Sequence, residues 1–429
     1  AFDGQYILEY GADESWGPKI DGTSQYRPWY SWYPGENFGQ LATMVAQPDN
    51  VKDYFETGRN LTNSISFTNS GSNYNFRLGY MNQDRTLVLP NTKRQLHQLS
   101  LNGIYDITSR ISLSTDVSYT YDDRFGQPYE TYRNDGLNVT QNFNQWFQRQ
   151  LDMNGMRRYR EADGRVNSWN IGDPNGTSDF DELLAPQYWD NPFYIAYEAY
   201  GTGRTNRLVG NVGLTAELAK GLKWYSYVRK SSYNAVSDFR RGTGGLELDA
   251  YQNATDAFNE MNYETNLGYV KKFGDISFDG YVGGNIRKSL REWNFMGTNG
   301  GLSVPNWFNI RASKATPTYT NDMSRFLVRS LYGKASIGYK NFLFLDGTLR
   351  NDWSSSLPST DNSYLYYSVT GSFVFSDLMK GGIKDWLTFG KVRLAYASVG
   401  SDIGFAEVNT ALTGRQPFSG TPAVTVGDI

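Results

Sequence analysis

The sequence predicts an all-β fold: a transmembrane antiparallel β-barrel, with about twelve strands present. First, aromatic residues make up 16% of the 429 residues, whereas hydrophobic residues as a group reach only 39%. A membrane barrel needs rings for its interfacial girdles and apolar residues on only one face of each strand. Second, apolar and polar residues alternate with a period of two from about Thr62 onward. Third, short and long connections between these segments alternate along the chain.

The composition excludes several other classes of protein. The net charge of -3 gives no basic field that would favour nucleic acid, so no nucleic-acid partner is predicted. The absence of cysteine removes disulfide scaffolds, thiolate metal sites and cysteine nucleophiles. No uninterrupted apolar run approaches the ~18 residues that a membrane helix needs. Strands rather than helices are therefore expected to cross the membrane.

The predicted strands are amphipathic segments bounded by Gly, Asn, Asp, Ser or Pro. In the clearest one, residues 73–84, the side chains of Tyr74, Phe76 and Leu78 share one face and Arg77 lies on the other. Segments of about 9–15 residues suit a tilted strand that crosses a bilayer. The predicted segments lie near Thr62, Tyr74, Arg94, Ile111, Arg207, Leu222, Met261, Ile276, Arg325, Phe342, Tyr364 and Trp386.

Connection lengths give the strongest indication of a barrel. Short connections are predicted at 69–73, 106–110, 219–221, 271–274, 340–341 and 376–385. Longer ones are predicted at 122–205, 232–260, 291–324 and 351–363. Outer-membrane barrels have short periplasmic turns and long extracellular loops, so the short connections are expected to face the periplasm. The alternative, a soluble β-sandwich or propeller, gives no reason for a long connection at every second turn.

Several motifs, in the same order along the chain, resemble the SusC/RagA family of TonB-dependent transporters. Two strings look like the junction between plug and barrel, and three later ones strengthen the match. They are YGADESWGPKIDG at 10–22, DNVKDYFETG at 49–58, VLPNT at 88–92, LRNDWSSSLP at 349–358 and VRLAYASVGSD at 392–402.

The resemblance implies a 22-stranded barrel of the bacterial outer membrane, occluded by an N-terminal plug. It also implies a SusD-like surface lipoprotein as a lid, energy from TonB, and oligosaccharides or oligopeptides as substrates. Residues 1–60 are interpreted as the plug-to-barrel junction, and 61–429 as the N-terminal half or more of the barrel. The plug, the TonB box and the remaining strands are expected to lie outside this stretch of a longer polypeptide.

Two sets of side chains are candidates for substrate contact. The 122–205 connection carries aromatic rings among amides and charges, which would suit sugar rings or peptide backbone. The alternative is that these rings pack the loop's own core or contact a partner. The loop candidates are Trp146, Phe147, Tyr159, Trp169, Tyr188 and Trp189. The candidates for contact with the lumen or the plug are Arg77, Asp116, Asp279 and Arg350.

No catalytic residue and no cofactor is predicted. His97 is the only histidine, so neither a two-histidine metal site nor a Ser/His/Asp triad can be built within the chain. The acidic residues Asp173, Asp179, Asp181 and Glu182 could offer carboxylates to Ca²⁺, but their spacing does not match an EF-hand loop, and a solvated acidic stretch is favoured. The predicted function is TonB-dependent import of bulky nutrients. The alternative is a docking barrel in a larger secretion or motility assembly.

Overall fold

The structure, a computed structural model, describes residues 6–12, 17, 19–129, 131–177, 179–358, 360–382 and 386–400, and the backbone of 412–418 and 421–426. Residues 13–16 and 18 of the first motif, and 401–402 of the last, lie outside the described residues. A small sheet comes first, with strands β1 (Tyr6–Ile7), β2 (Gln25–Arg27) and β3 (Ala42–Thr43) in that order.

Twelve antiparallel strands then form one sheet in which each strand pairs with its neighbours in sequence. They are β4 (Arg59–Ser70), β5 (Tyr74–Thr86), β6 (Lys93–Thr108), β7 (Ile111–Gln127), β8 (Ala199–Ala219), β9 (Leu222–Arg241), β10 (Ala250–Phe273), β11 (Ile276–Gly297), β12 (Thr318–Tyr339), β13 (Leu343–Ser354), β14 (Ser363–Phe373) and β15 (Val392–Ser398). A separate hairpin follows, made of β16 (Leu412–Phe418) and β17 (Thr421–Val426). The predicted all-β fold with twelve antiparallel strands is confirmed. Closure into a plugged, 22-stranded barrel stays a prediction.

Four short α-helices lie in the described part of the connection between β7 and β8. They are α1 (Val139–Gln145), α2 (Met153–Met156), α3 (Phe180–Leu184) and α4 (Pro192–Glu198). The helix α4 shows why they form here. The Asn191 side chain accepts a hydrogen bond from the Phe193 N–H, and Pro192 occupies the first turn, where a missing N–H does no harm. In the described part of the chain, no helix is both long enough and apolar enough to span a membrane.

The large sheet has one apolar face and one polar face. On the apolar face, Val282 of β11 and Leu331 of β12 are each 62% exposed. On the polar face, Asn285 of β11 lies opposite Ser330 of β12. Because successive side chains in a strand point to opposite faces, this register fixes the face of the residues between the irregularities at 106–108, 125–127 and 217–219. An exposed apolar face is expected of a strand that meets lipid.

The two ends of the sheet differ in the length of their connections. At one end, here called the short-turn end, tight turns join β8 to β9 and β10 to β11. Gly221 in the first of these turns has φ of +82°, and a Cβ there would lie 2.2 Å from the Val270 carbonyl oxygen. Glycine is therefore required. At the other end, called the long-connection end, residues 128–198, 242–249 and 298–317 join the strands.

The strands are longer, and these connections shorter, than the sequence predicts. The strand β10 has 24 residues and β11 has 22, against the expected 9–15. The connections run over 128–198, 242–249 and 298–317 rather than 122–205, 232–260 and 291–324. The twelfth strand begins at Val392 rather than near Trp386. Towards the long-connection end the clear alternation of apolar and polar residues ends, although backbone pairing continues, as between β11 and β12 as far as Gly297. The sequence pattern therefore stops before the strand does.

Candidate functional site

The long-connection end carries a packed unit, here called the cap, made of the described residues of 6–58 and 128–198. Both stretches contribute to one hydrophobic core. Large buried side chains come from both stretches: Tyr10, Trp32, Tyr33 and Tyr54 from the first, and Phe147, Trp169, Phe193 and Tyr194 from the second. The described residues of the 1–60 segment therefore lie beside the longest connection, and the role of the segment as a plug-to-barrel junction stays a prediction.

Hydrogen bonds between buried groups hold the two stretches of the cap together. The Asn50 side-chain amide donates to the Gln148 carbonyl at 3.0 Å, and the Asn170 amide donates to the Tyr10 carbonyl at 2.8 Å. Each bond satisfies a buried polar group that would otherwise lose its hydration without a replacement. These bonds add geometric specificity to the apolar contacts of the core.

The structure separates the six aromatic loop candidates into two groups. Phe147, Trp169 and Trp189 belong to the cap core, where their rings face other side chains. This placement matches the alternative interpretation, in which the rings pack the loop's own core. Of the other three, Trp146 and Tyr159 are half-buried against that core, and Tyr188 is 60% exposed. In this structure, only these three present much ring surface outside the core.

A cleft of about 510 Å³ lies between the long connection and the 242–249 connection. Trp146 and Tyr188 line it from one side and Leu246 and Glu247 from the other. The Tyr188 N–H donates to the Asn170 side-chain oxygen at 2.7 Å, so its backbone is fixed while its ring stays exposed. Exposed rings beside a carboxylate can stack on planar groups or sugar faces and accept hydrogen bonds.

Asp190 links the two connections that line this cleft. Its Oδ1 accepts a hydrogen bond from the Leu246 N–H at 2.8 Å, and its Oδ2 is buried without a hydrogen-bond partner among the described residues. Burial raises the pKa of the Asp190 carboxyl to about 7, although the Arg241 guanidinium opposes the shift. The carboxylates of Glu247 and Asp135 raise it further. The contact between the two connections is therefore titratable near neutral pH.

A second cavity, of about 390 Å³, lies on the polar face of β10 to β14 and is here called the polar groove. Arg350 lies in it: Nε donates to Asp352 at 2.8 Å and Nη2 donates to the Ser330 hydroxyl at 2.8 Å. The guanidinium carbon lies 5.3 Å from the centre of the Tyr332 ring. On the opposite wall, Glu264 accepts hydrogen bonds from neighbouring side chains. Alternating donors, acceptors and rings can replace water around a polar oligomer.

The four residues predicted to face the lumen or the plug all lie on the polar face. Arg77, on β5, and Asp116, on β7, both lie opposite Asn102 of β6 and so belong to one row. Asp279, on β11, lies opposite Ser336. Only Arg350 lines one of the cavities described here. Whether the other three contact ligand or plug stays a prediction.

The acidic stretch and the single histidine have local partners. Asp179 caps helix α3, Asp181 pairs with Arg165, and Glu182 accepts from the Thr177 hydroxyl. Asp173 accepts a hydrogen bond from the N–H of residue 175. His97 lies on the apolar face, where its Nδ1 is 2.8 Å from the Tyr80 hydroxyl oxygen. Within the described ranges, no three His, Asp or Glu side chains come together to hold a metal.

Sequence reasoning missed most residues of both cavities. The groove residues Asn262, Glu264, Asn285, Arg287, Tyr332, Asp352, Tyr364 and Tyr366 were not singled out. In the cleft, the missed residues include Tyr132, Arg133, Gln141, Gln187 and Glu247. Register is the signal that could have found the groove. Once β10 to β14 are aligned through their turns, the polar positions of five strands fall on one wall.

Comparison with known proteins identifies the fold. No family model and no curated protein sequence matches the chain. Among solved structures, it is similar to a chain of the RagAB peptide transporter, with a TM-score of 0.68 and 14% sequence identity over 91% of this chain. The same importer in its open-open and closed-closed states gives TM-scores of 0.67. The match covers 43% of the first RagAB chain, so this chain spans less than half of its length.

The described residues share the fold of the part of the RagAB chain that they match. The likeness of this chain to the barrel of the SusC/RagA type, which the motifs indicated, is confirmed at the level of the fold. The three solved structures compared here are of one peptide transporter in different states.

Proposed function

We propose that this chain is part of an outer-membrane importer of bulky nutrients and carries out no covalent chemistry. Its substrates would be oligopeptides or oligosaccharides, with a SusD-like lipoprotein as lid and TonB as the source of energy. The observation that carries the proposal is the likeness of the twelve-stranded sheet to a peptide transporter, over 91% of this chain.

The two cavities suit successive steps of import. The cleft at the long-connection end offers the exposed ring of Tyr188 and the half-buried ring of Trp146 for a first encounter. The polar groove then offers Arg350, Tyr332 and Glu264 along the inner wall. Each contact is weak and solvated, which lets a hydrated oligomer bind and then leave.

Uptake assays in a strain deleted for the full gene test the proposal. The strain is complemented with the wild-type gene or with the double variant Arg350→Ala/Asp352→Ala, which removes an ion pair and leaves the net charge unchanged. Hydrogen bonds to charged groups contribute about 1.5–3 kcal/mol, so uptake should fall about tenfold or more. The matched control, Arg291→Ala/Asp256→Ala, removes an ion pair on the same face outside the two cavities.

Two outcomes would contradict the proposal. In the first, the deletion strain takes up every oligopeptide and oligosaccharide at the wild-type rate. In the second, loss of the TonB system leaves uptake by the wild-type protein unchanged. Co-purification separates import from the docking alternative. One SusD-like lipoprotein supports import, whereas several secretion or motility subunits support docking.

A further inference from the structure

Four basic residues lie together on the apolar face and are here called the basic patch: Lys230 of β9, Lys288 of β11, and Arg325 and Arg329 of β12. Lys230 and Lys288 both lie opposite Met261 of β10. Neighbouring strands are ~4.8 Å apart, so these two lysines are about 10 Å apart along the row.

The two arginines of the basic patch flank Lys288. Lys288 lies opposite Leu327 of β12, and Arg325 and Arg329 are the residues two positions before and after that leucine. Cross-strand diagonal neighbours on one face are ~7–8 Å apart, within the reach of long side chains. The four cations can therefore converge on one group.

Within the part of the chain that the structure describes, none of the four forms an ion pair, and all four are exposed. Three arginines on the polar face, by contrast, form ion pairs: Arg229 with Glu264, Arg291 with Asp256, and Arg350 with Asp352.

The direct cross-strand partners of the basic patch are also free of acids. Those partners are Gly210, Met261, Ile286, Leu290, Leu327 and Trp353. The closest acid along β11 on the same face is Glu292, two residues beyond Leu290. The positive charge of the patch is therefore left for a group outside the chain.

The basic patch lies where the apolar face ends. On β11 that face runs from Ile276, next to the short turn, through Val282 to Ile286, and the next position on it is Lys288. The ten residue steps from Ile276 to Ile286, at ~3.3 Å each, span about 33 Å along the strand. At a strand tilt of 35–45° this length corresponds to about 23–27 Å across a bilayer. The apolar band of an outer-membrane barrel is ~25 Å tall. Lys288 is therefore at the level of the lipid headgroups, at the long-connection end.

We propose that the basic patch binds the phosphate group of an outer-leaflet lipid. Two arginines can donate paired hydrogen bonds to phosphate oxygens, and the lysines add point charges. Met261 and Leu327, which lie between the cations, are placed to contact the acyl chains. Trp353, opposite Arg329, adds the amphipathic ring that such interfaces favour. The site depends on the orientation of the barrel in the membrane and is independent of what the barrel imports.

The test measures lipid binding by the full-length protein purified in detergent and placed in nanodiscs. The probes are phosphorylated lipid A, lipid A without phosphate, and inorganic phosphate. Each basic residue near a membrane surface contributes about a fivefold gain in affinity for anionic lipid. We expect Lys288→Gln to weaken binding of phosphorylated lipid A about fivefold, and the quadruple Gln variant to weaken it about 100-fold or more.

The control removes four charges near the short-turn end, with Arg110, Lys220, Lys271 and Lys340 each changed to Gln. This variant should retain wild-type binding. The single variant keeps the test valid if the quadruple one fails to fold. The proposal is overturned if Lys288→Gln binds phosphorylated lipid A as tightly as wild type, or if lipid A without phosphate binds equally well. It is also overturned if inorganic phosphate binds with the same affinity as the lipid.

Discussion

The substitution Phe147→Ala tests whether the aromatic loop candidates form a core or a binding surface. Phe147 is 1% exposed, and its ring centre lies 5.0 Å from that of Phe143 and 5.7 Å from that of Trp169. Truncation of a buried Phe costs about 3–5 kcal/mol, which includes the loss of two edge-to-face ring contacts. The cap should lose that stability while the hydrogen-bond ladder of the sheet remains.

Hydrogen exchange of the full-length protein measures this loss. A local loss of about 3 kcal/mol accelerates exchange about 100-fold, and the effect should be confined to cap peptides such as those covering 137–171. The control Tyr188→Ala removes a ring that is 60% exposed and should change exchange little. If Phe147→Ala left exchange in the cap within threefold of wild type, the cap would not depend on this core.

Three further predictions concern the cap and the two faces of the sheet. The pKa of Asp190 is raised to about 7 in the folded protein, from about 3.9 in the unfolded chain. Between these two pH values the folded protein keeps the Asp190 carboxyl protonated whereas the unfolded chain releases the proton. Cap stability should therefore fall as pH rises from about 4 to 7. Asp190→Asn should flatten that dependence in hydrogen exchange measured from pH 5 to 8, and a wild-type slope retained in the variant would refute the assignment. Asn191→Ala should destabilise the cap by about 2–3 kcal/mol, because it removes both the N-capping side chain of helix α4 and the amide that donates to the Met156 carbonyl oxygen. Asn191→Asp keeps the oxygen that accepts from the Phe193 N–H and should lose less stability. Equal losses in the two variants would contradict the N-capping role. Val282→Arg, near the middle of the apolar face, should destabilise the full-length barrel refolded in lipid by about 2–4 kcal/mol, as measured by urea titration. Tyr281→Arg, on the polar face, should change its stability little. A larger loss for Tyr281→Arg than for Val282→Arg would mean that the two faces are assigned the wrong way round.

The positions of the strands could be predicted from the sequence because each carries its own local signal. The segments near Tyr74 and Ile276 alternate clearly, and tight turns such as the one at Gly221 punctuate them. The length of the strands could not be predicted. On β11 the apolar face gives way at Lys288, yet pairing with β12 continues to Gly297. Backbone hydrogen bonds between strands do not depend on side-chain polarity, so the polarity pattern does not show where a strand ends.

The packing of the cap could not be predicted from local sequence patterns, because its core joins distant parts of the chain. Tyr10 and Asn170 are 160 residues apart in sequence and share a buried hydrogen bond. An aromatic residue in a long loop looks the same in sequence whether it packs inward, as Trp169 does, or stays exposed, as Tyr188 does. Phe147 and Trp189 were named as ligand candidates for this reason. Arg350 lies opposite Tyr332 on the polar face, and its contact with the lumen or plug stays a prediction.

The shared core of the cap imposes an order on biogenesis. Its two halves are separated in the chain by the strands β4 to β7. The first half therefore lacks the other half of its core until those two hairpins and the segment after them are available. Until then, Trp32, Tyr33 and Tyr54 lack most of the apolar surface that buries them. These rings would therefore stay exposed during folding until the second half of the cap arrives, and the closing of the cap would follow the completion of the first third of the sheet.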